Sequence, residues 1–163
     1  MFHRTVARAA AVGLALVSAA AAADTATGSF LVSTTVLKSC TVAPTPLAFA
    51  SYSPSGDVDG TSTIAVLCTL NTPYKIALDK GANGAAVTTR KMKLTTGADT
   101  LNYSLFSDSN RSANWGETLG TDTVDATGTG LLVTHTVYGR IAASQTTSPA
   151  GIYNDTIQVT VNY

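Results

Sequence analysis

The stretch that decides the fold is residues 153–163, Tyr-Asn-Asp-Thr-Ile-Gln-Val-Thr-Val-Asn-Tyr. Ile157, Val159, Val161 and Tyr163 share one parity, while Asn154, Thr156, Gln158, Thr160 and Asn162 share the other. Successive side chains of a strand point to opposite faces, so this run has one apolar and one polar face. Alternation of that kind predicts a half-buried strand, not a helix. The run reaches Tyr163 without a polar tail, which predicts an end tied into a sheet.

Working outward, other segments repeat the pattern. Ile64, Val66, Cys68 and Leu70 alternate, and after Asn71-Thr72-Pro73 so do Tyr74, Ile76 and Leu78. The two runs read as a hairpin-type pair with Cys68 facing inward. Met92 and Leu94 stand among Arg90, Lys91 and Lys93, which reads as a short strand with a solvated basic face. Leu101, Tyr103 and Leu105 form the next run. The long glycine-rich stretch 110–130 has room for one short strand, and Leu131–Ile141 is a further one. Near the start, Gly28–Leu37 reads as a strand of mixed parity. Leu47, Phe49 and Tyr52, close behind Pro44 and Pro46, suggest a short edge strand. Seven or eight short strands separated by turn residues point to an antiparallel β-sandwich.

The chain has 163 residues, suited to one domain. Its first 23 residues have the form of a secretory signal. Arg4 and Arg8 precede an apolar run, Ala9–Val17, and a small-residue run ends at Ala23 before Asp24. The apolar run is shorter than the ~20 residues a membrane span requires. Of 10 Lys and Arg, eight remain beyond Ala23, against 10 Asp and Glu. With no basic stripe, nucleic acid is not an expected partner. Glutamate occurs once, at Glu117, and β-branched residues abound, which favours strands over helices.

Cys40 and Cys68 are the two cysteines. In an exported chain an even count predicts a disulfide, and closing this loop contributes ~3–4 kcal/mol in the chain-entropy model. Two thiols with no nearby histidine make a poor zinc site. His135 is the one histidine beyond Ala23, and its parity with Val133 and Val137 favours a structural role. No Gly-x-Ser-x-Gly setting supports a catalytic triad. The carboxylates Asp57, Asp59, Asp99, Asp108, Glu117, Asp122 and Asp125 lie in turn-rich loops, where acids are ordinary turn formers. Asp57-Val58-Asp59-Gly60 is a fragment of a calcium loop without its remaining ligands. Gly128-Thr129-Gly130 lies outside any strand-to-helix setting. Glycosylation-type triplets occur at Asn102, Asn110 and Asn154. The chain is therefore read as a non-enzyme with no catalytic residue, no metal site and no cofactor.

Cys40-Thr41-Val42, Leu47-Ala48-Phe49, Val66-Leu67-Cys68, Leu78-Asp79-Lys80-Gly81, Leu101-Asn102-Tyr103-Ser104-Leu105-Phe106, Val137-Tyr138-Gly139-Arg140-Ile141 and Pro149-Ala150-Gly151-Ile152-Tyr153-Asn154-Asp155-Thr156 occur in an order that resembles one family. It is the spore coat protein U domain family, which includes subunits of archaic chaperone–usher pili. The resemblance implies an all-β fold, an incomplete immunoglobulin-like antiparallel β-sandwich completed by donor-strand exchange. It implies a donor extension over residues 24–37, with Phe30, Val32, Thr34 and Val36 of Gly28–Leu37 as plugs, and a domain over 38–163. Ile157, Val159, Val161 and Tyr163 would form the groove-edge strand that first meets a chaperone. The implied partners are a periplasmic pilus chaperone, an outer-membrane usher and further copies of this chain or sister pilins. The implied location is the cell surface, reached through the periplasm, in a fibre serving adhesion and biofilm formation.

Two alternatives stay open at this level. Gly28–Leu37 could pair within its own domain as an ordinary first strand. The protein could also be a complete monomeric secreted sandwich, a coat or carbohydrate-binding module, with Trp115, Tyr103 and Tyr138 as stacking residues.

Overall fold

A computed structural model describes residues 23–163. The proposed signal segment, 1–23, lies outside the described residues except for Ala23. The chain divides into two units, residues 1–34 and 35–163. Within the first, residues 23–34 form no strand and are exposed.

The second unit contains nine strands: β1 (Cys40–Pro44), β2 (Val58–Cys68), β3 (Pro73–Leu78), β4 (Arg90–Leu94), β5 (Thr100–Phe106), β6 (Val124–Thr127), β7 (Leu132–Ile141), β8 (Tyr153–Asn154) and β9 (Val159–Asn162). All pairings are antiparallel. One sheet runs β1-β2-β7-β5-β4-β8 and the other β6-β3-β9. The all-β expectation holds, and the strand pattern is that of a two-sheet sandwich.

Period-2 patterning decides which faces meet. Ile64, Val66 and Cys68 on β2, Val137 and Ile141 on β7, and Leu101, Tyr103 and Leu105 on β5 turn inward. Tyr74, Ile76 and Leu78 of β3 oppose them from the smaller sheet, and these residues with Trp115 form one continuous core. Each fully buried Val, Leu or Ile contributes ~1.5–3 kcal/mol. The Cys40–Cys68 disulfide is present. It joins residues that face each other in the β1–β2 register.

Several expectations need correction. β2 and β3 are not a hairpin: β2 pairs with β1 and β7, β3 with β6 and β9, and the two strands face each other across the core. Adjacent alternating runs look alike whether they pair or oppose. Leu70 falls in the turn after β2 and is exposed. The edge strand begins at Cys40 and ends at Pro44, so the Leu47–Tyr52 segment is not itself a strand. Pro46 has no N–H to extend the ladder, and the last bond there runs from Thr45 N to Thr63 O at 2.8 Å.

The basic face of β4 is not wholly solvated. Arg90 shares parity with Met92 and Leu94 and is fully buried. Its Nε donates to Asp79 O at 2.8 Å, and its Nη2 to Leu78 O at 2.9 Å and Trp115 O at 2.8 Å. Burial pulls the guanidinium below its ordinary pKa, opposed by the nearby Asp79 carboxylate. The cation thus ties β4, in one sheet, to the end of β3, in the other, and to the loop carrying Trp115. Trp115 Nε1 donates to Ile76 O at 2.9 Å, and Trp115 N to Leu105 O at 2.9 Å, so the irregular 107–123 stretch also bridges the sheets.

His135 packs against Tyr74. Its Nε2 lies 2.9 Å from the Tyr74 hydroxyl, and the rings meet edge to face. Burial lowers its pKa. A lowered folded-state pKa means that the folded state resists protonation. The stability is complete above the unfolded-state value, about 6.5, and falls as pH drops toward the folded value. The melting temperature is expected to decline between neutral and mildly acidic pH, and a calorimetric pH series on His135→Gln should show that slope flattened.

Candidate functional site: an open groove between the sheets

The smaller sheet leaves one edge of the sandwich unfinished. β9 pairs with β3 along one side and, among the described residues, has no strand on the other, while β1 is the outer strand of the larger sheet. Between them lies a cleft of about 390 Å³. Pro44, Leu47 and Phe49 form one wall, and Ile157 and Val159 the other. Ile64, Val137, Leu105 and Tyr103 make the floor, with Met92 and Tyr153 toward one end. The lining is mainly apolar and continuous with the core.

Local chemistry builds each wall. Gly60 and Gly139 face each other in the β2–β7 register. A Cβ at Gly139 would meet Phe49 Cζ at 2.8 Å and Leu47 Cδ1 at 2.9 Å, and one at Gly60 would meet Phe49 Cδ1 at 3.1 Å and Leu47 Cδ2 at 3.2 Å. The bare backbone floor is what lets these two side chains lie down. Gly139→Val should displace Phe49 into the groove and cost ~1–3 kcal/mol, read as a lowered urea midpoint. Ser62 is the buried polar residue of the floor. Its hydroxyl donates to Thr45 O and lies 3.1 Å from Thr45 Oγ1, so it is satisfied within the wall.

The opposite wall shows why 153–163 is not one strand. It divides into β8, in the larger sheet, and β9, in the smaller. Asp155 occupies the inward parity and accepts from Ala82 N at 3.0 Å, Asn83 Nδ2 at 2.9 Å and the Tyr103 hydroxyl at 2.7 Å. Three residues on, Gln158 N donates to Asp79 Oδ1 at 2.9 Å, and Asp79 N to Gln158 O at 3.2 Å. These bonds carry the chain from one sheet to the other. Burial, and next the bond to Asp155, push the Tyr103 hydroxyl far above its ordinary pKa.

The structure brings some of the expected site residues together. Ile157 and Val159 line the cleft. Val161 lies on the same half-buried face and packs against the core. Tyr163 departs from the expectation: it follows β9 and is mostly exposed. Phe30, Val32, Thr34 and Val36 belong to no strand, and the large apolar side chains from Phe30 to Leu37 are 76–89% exposed. Gly28–Leu37 is therefore not an ordinary first strand here. Trp115 and Tyr103 are core residues and unavailable for stacking on a sugar. Tyr138 sits beneath the Arg111 guanidinium, 5.8 Å from its ring centre. Asp59 is held by Arg140 at 2.7 and 2.9 Å and by Arg111 at 3.2 Å, and Asp57 accepts from Ala143 N at 2.8 Å. The Arg140 bond holds the Asp59 carboxyl below its ordinary pKa. Among the described residues no group of three His, Cys, Asp or Glu side chains is placed to hold a metal.

The fold is thus an antiparallel sandwich with an apolar groove between the open edge of β9 and β1. Residues 26–160 match the model of the Spore Coat Protein U domain family, and the chain belongs to that family. It is 37% identical over 112 residues to Protein U of Myxococcus xanthus, covering 66% of this chain and 62% of that protein. Among solved structures it resembles a chain from the CsuC–CsuE chaperone–tip adhesion subunit pre-assembly complex of archaic chaperone-usher Csu pili of Acinetobacter baumannii. There the TM-score is 0.59 and the identity 27%, over 79% of this chain and 41% of that one. The chain therefore spans less than two thirds of either relative.

Proposed function

We propose that this protein is a structural subunit of an archaic chaperone–usher surface fibre, assembled by strand donation. The observation that carries the reading is the coexistence of an open apolar groove and an unpaired apolar segment in one chain. Phe30, Val32, Thr34 and Val36 of one copy would enter the groove of the next and pair with the open edge of β9. Strand addition of this kind gains ladder hydrogen bonds and places alternate side chains in pockets. An open edge is a hazard in a monomer; here it would be the assembly site. The contact is head-to-tail and non-closing, so it propagates as a fibre.

Before assembly the groove would be covered by a periplasmic chaperone, with β9 as the pairing edge, and an outer-membrane usher would export the fibre. The likeness to a chain of a chaperone–subunit complex supports this order. Adhesion and biofilm formation would be the fibre's role at the cell surface. Size-exclusion chromatography of residues 24–163 and of residues 38–163 tests the reading. The longer chain should form a ladder of oligomers, and the shorter should remain monomeric yet bind a peptide of residues 28–37. A longer chain that never polymerises, with a shorter one that ignores the peptide, overturns it.

A further inference from the structure

A second apolar surface lies at the disulfide end of the domain. Leu67 and Leu132 are direct cross-strand partners at the last rung of β2 and β7. Leu131 precedes Leu132, and the Leu70 Cβ lies 3.8 Å from where a Cβ on Gly130 would stand. Leu70, Leu131 and Leu132 are 65–73% exposed. Contiguous exposed apolar patches mark interaction sites far more often than single exposed leucines do.

The same end anchors the proposed donor segment. Thr69 N donates to Ser39 O at 3.0 Å and Ser39 N to Thr69 Oγ1 at 3.3 Å, one residue before the disulfide. Only Leu37 and Lys38 separate Ser39 from Val36. Three residue steps span at most ~11 Å. A neighbour holding Val36 in its groove must therefore bring its body against this end.

The neighbour's contacting end follows from packing. The disulfide end of every copy is already occupied by the copy that receives its donor segment. The copy that donates to it must then enter from the opposite end of the groove, where Met92 and Tyr153 lie. The residue before Tyr153, Ile152, is itself 69% exposed.

We infer that Leu67, Leu70, Leu131 and Leu132 of one copy pack against the Ile152 end of the copy that receives its donor strand. The occupant is a second copy of this chain, and the inference rests on the strand-donation reading. Strand donation links successive copies; this contact fixes the angle between them.

Hydroxyl-radical footprinting of residues 24–163 tests it in two forms, single copies capped by excess peptide 28–37 and assembled fibre, with the open-groove domain 38–163 as the reference for protection. The groove is filled in both, so only the neighbour's body differs. Labelling of Leu70, Leu131 and Ile152 should fall by about five-fold or more in the fibre, as expected for side chains moved into an interface, with Leu119 unchanged. Equal labelling in both forms overturns the contact, and protection of Val159 and Leu47 in both forms would leave strand donation standing. Absence of Val159 protection in either form overturns both.

Discussion

Replacing Phe30 and Val32 together by aspartate is expected to abolish polymerisation and leave the domain folded. Each plug buried in a neighbour contributes ~1.5–3 kcal/mol, and an unpaired carboxylate pressed into an apolar groove costs several kcal/mol more. A combined loss above ~5 kcal/mol weakens the contact by roughly 10³-fold or more. Both side chains are at least 80% exposed in the single chain, so their replacement removes no core packing. The oligomer ladder should vanish on native gels while the melting temperature holds within a degree or two, as surface substitutions generally allow. Thr34→Val is the complementary variant. It makes the plug row wholly apolar, and the ladder should survive it.

The second large effect is at Arg90. Arg90→Met keeps much of the aliphatic volume but removes the donors that serve Leu78 O, Asp79 O and Trp115 O. Buried carbonyls left unmatched cost ~1–3 kcal/mol each, partly offset because the buried cation and its desolvation are also gone. A net loss of ~3–5 kcal/mol is a large part of the 5–15 kcal/mol typical of a domain. Urea denaturation should show the midpoint fall sharply. Arg90→Lys is not expected to rescue it, since one ammonium cannot reproduce the planar fork that spans three carbonyls.

Much of this was legible in residue order. Parity alone located the cores of β2, β3, β5 and β7, because a strand half in water must alternate. It could not say which strands pair, since an opposing strand alternates just as a neighbour does; hence the misreading of β2 and β3. The division of 153–163 was hidden for a related reason. Parity persists through Asp155 and Ile157 while the backbone changes sheets, and the side-chain bonds that steer it come from Asp79, Asn83 and Tyr103, far away in sequence. The burial of Arg90 did leave a signal. It falls in step with Met92 and Leu94, but three cations in four residues read more easily as a solvated face. The groove itself is a property of two edges meeting in space. Its clearest local traces are Gly60 and Gly139, whose missing Cβ atoms make sense only once Leu47 and Phe49 are seen lying over them.

Amide hydrogen exchange on residues 38–163, with and without the peptide 28–37, tests strand donation most directly. The N–H groups between Ile157 and Tyr163 that β3 does not engage should exchange fast in the free domain and slow by about 100-fold or more once the peptide pairs with them. Slow exchange at those positions before any peptide is added, or rates that the peptide leaves unchanged, would contradict the account.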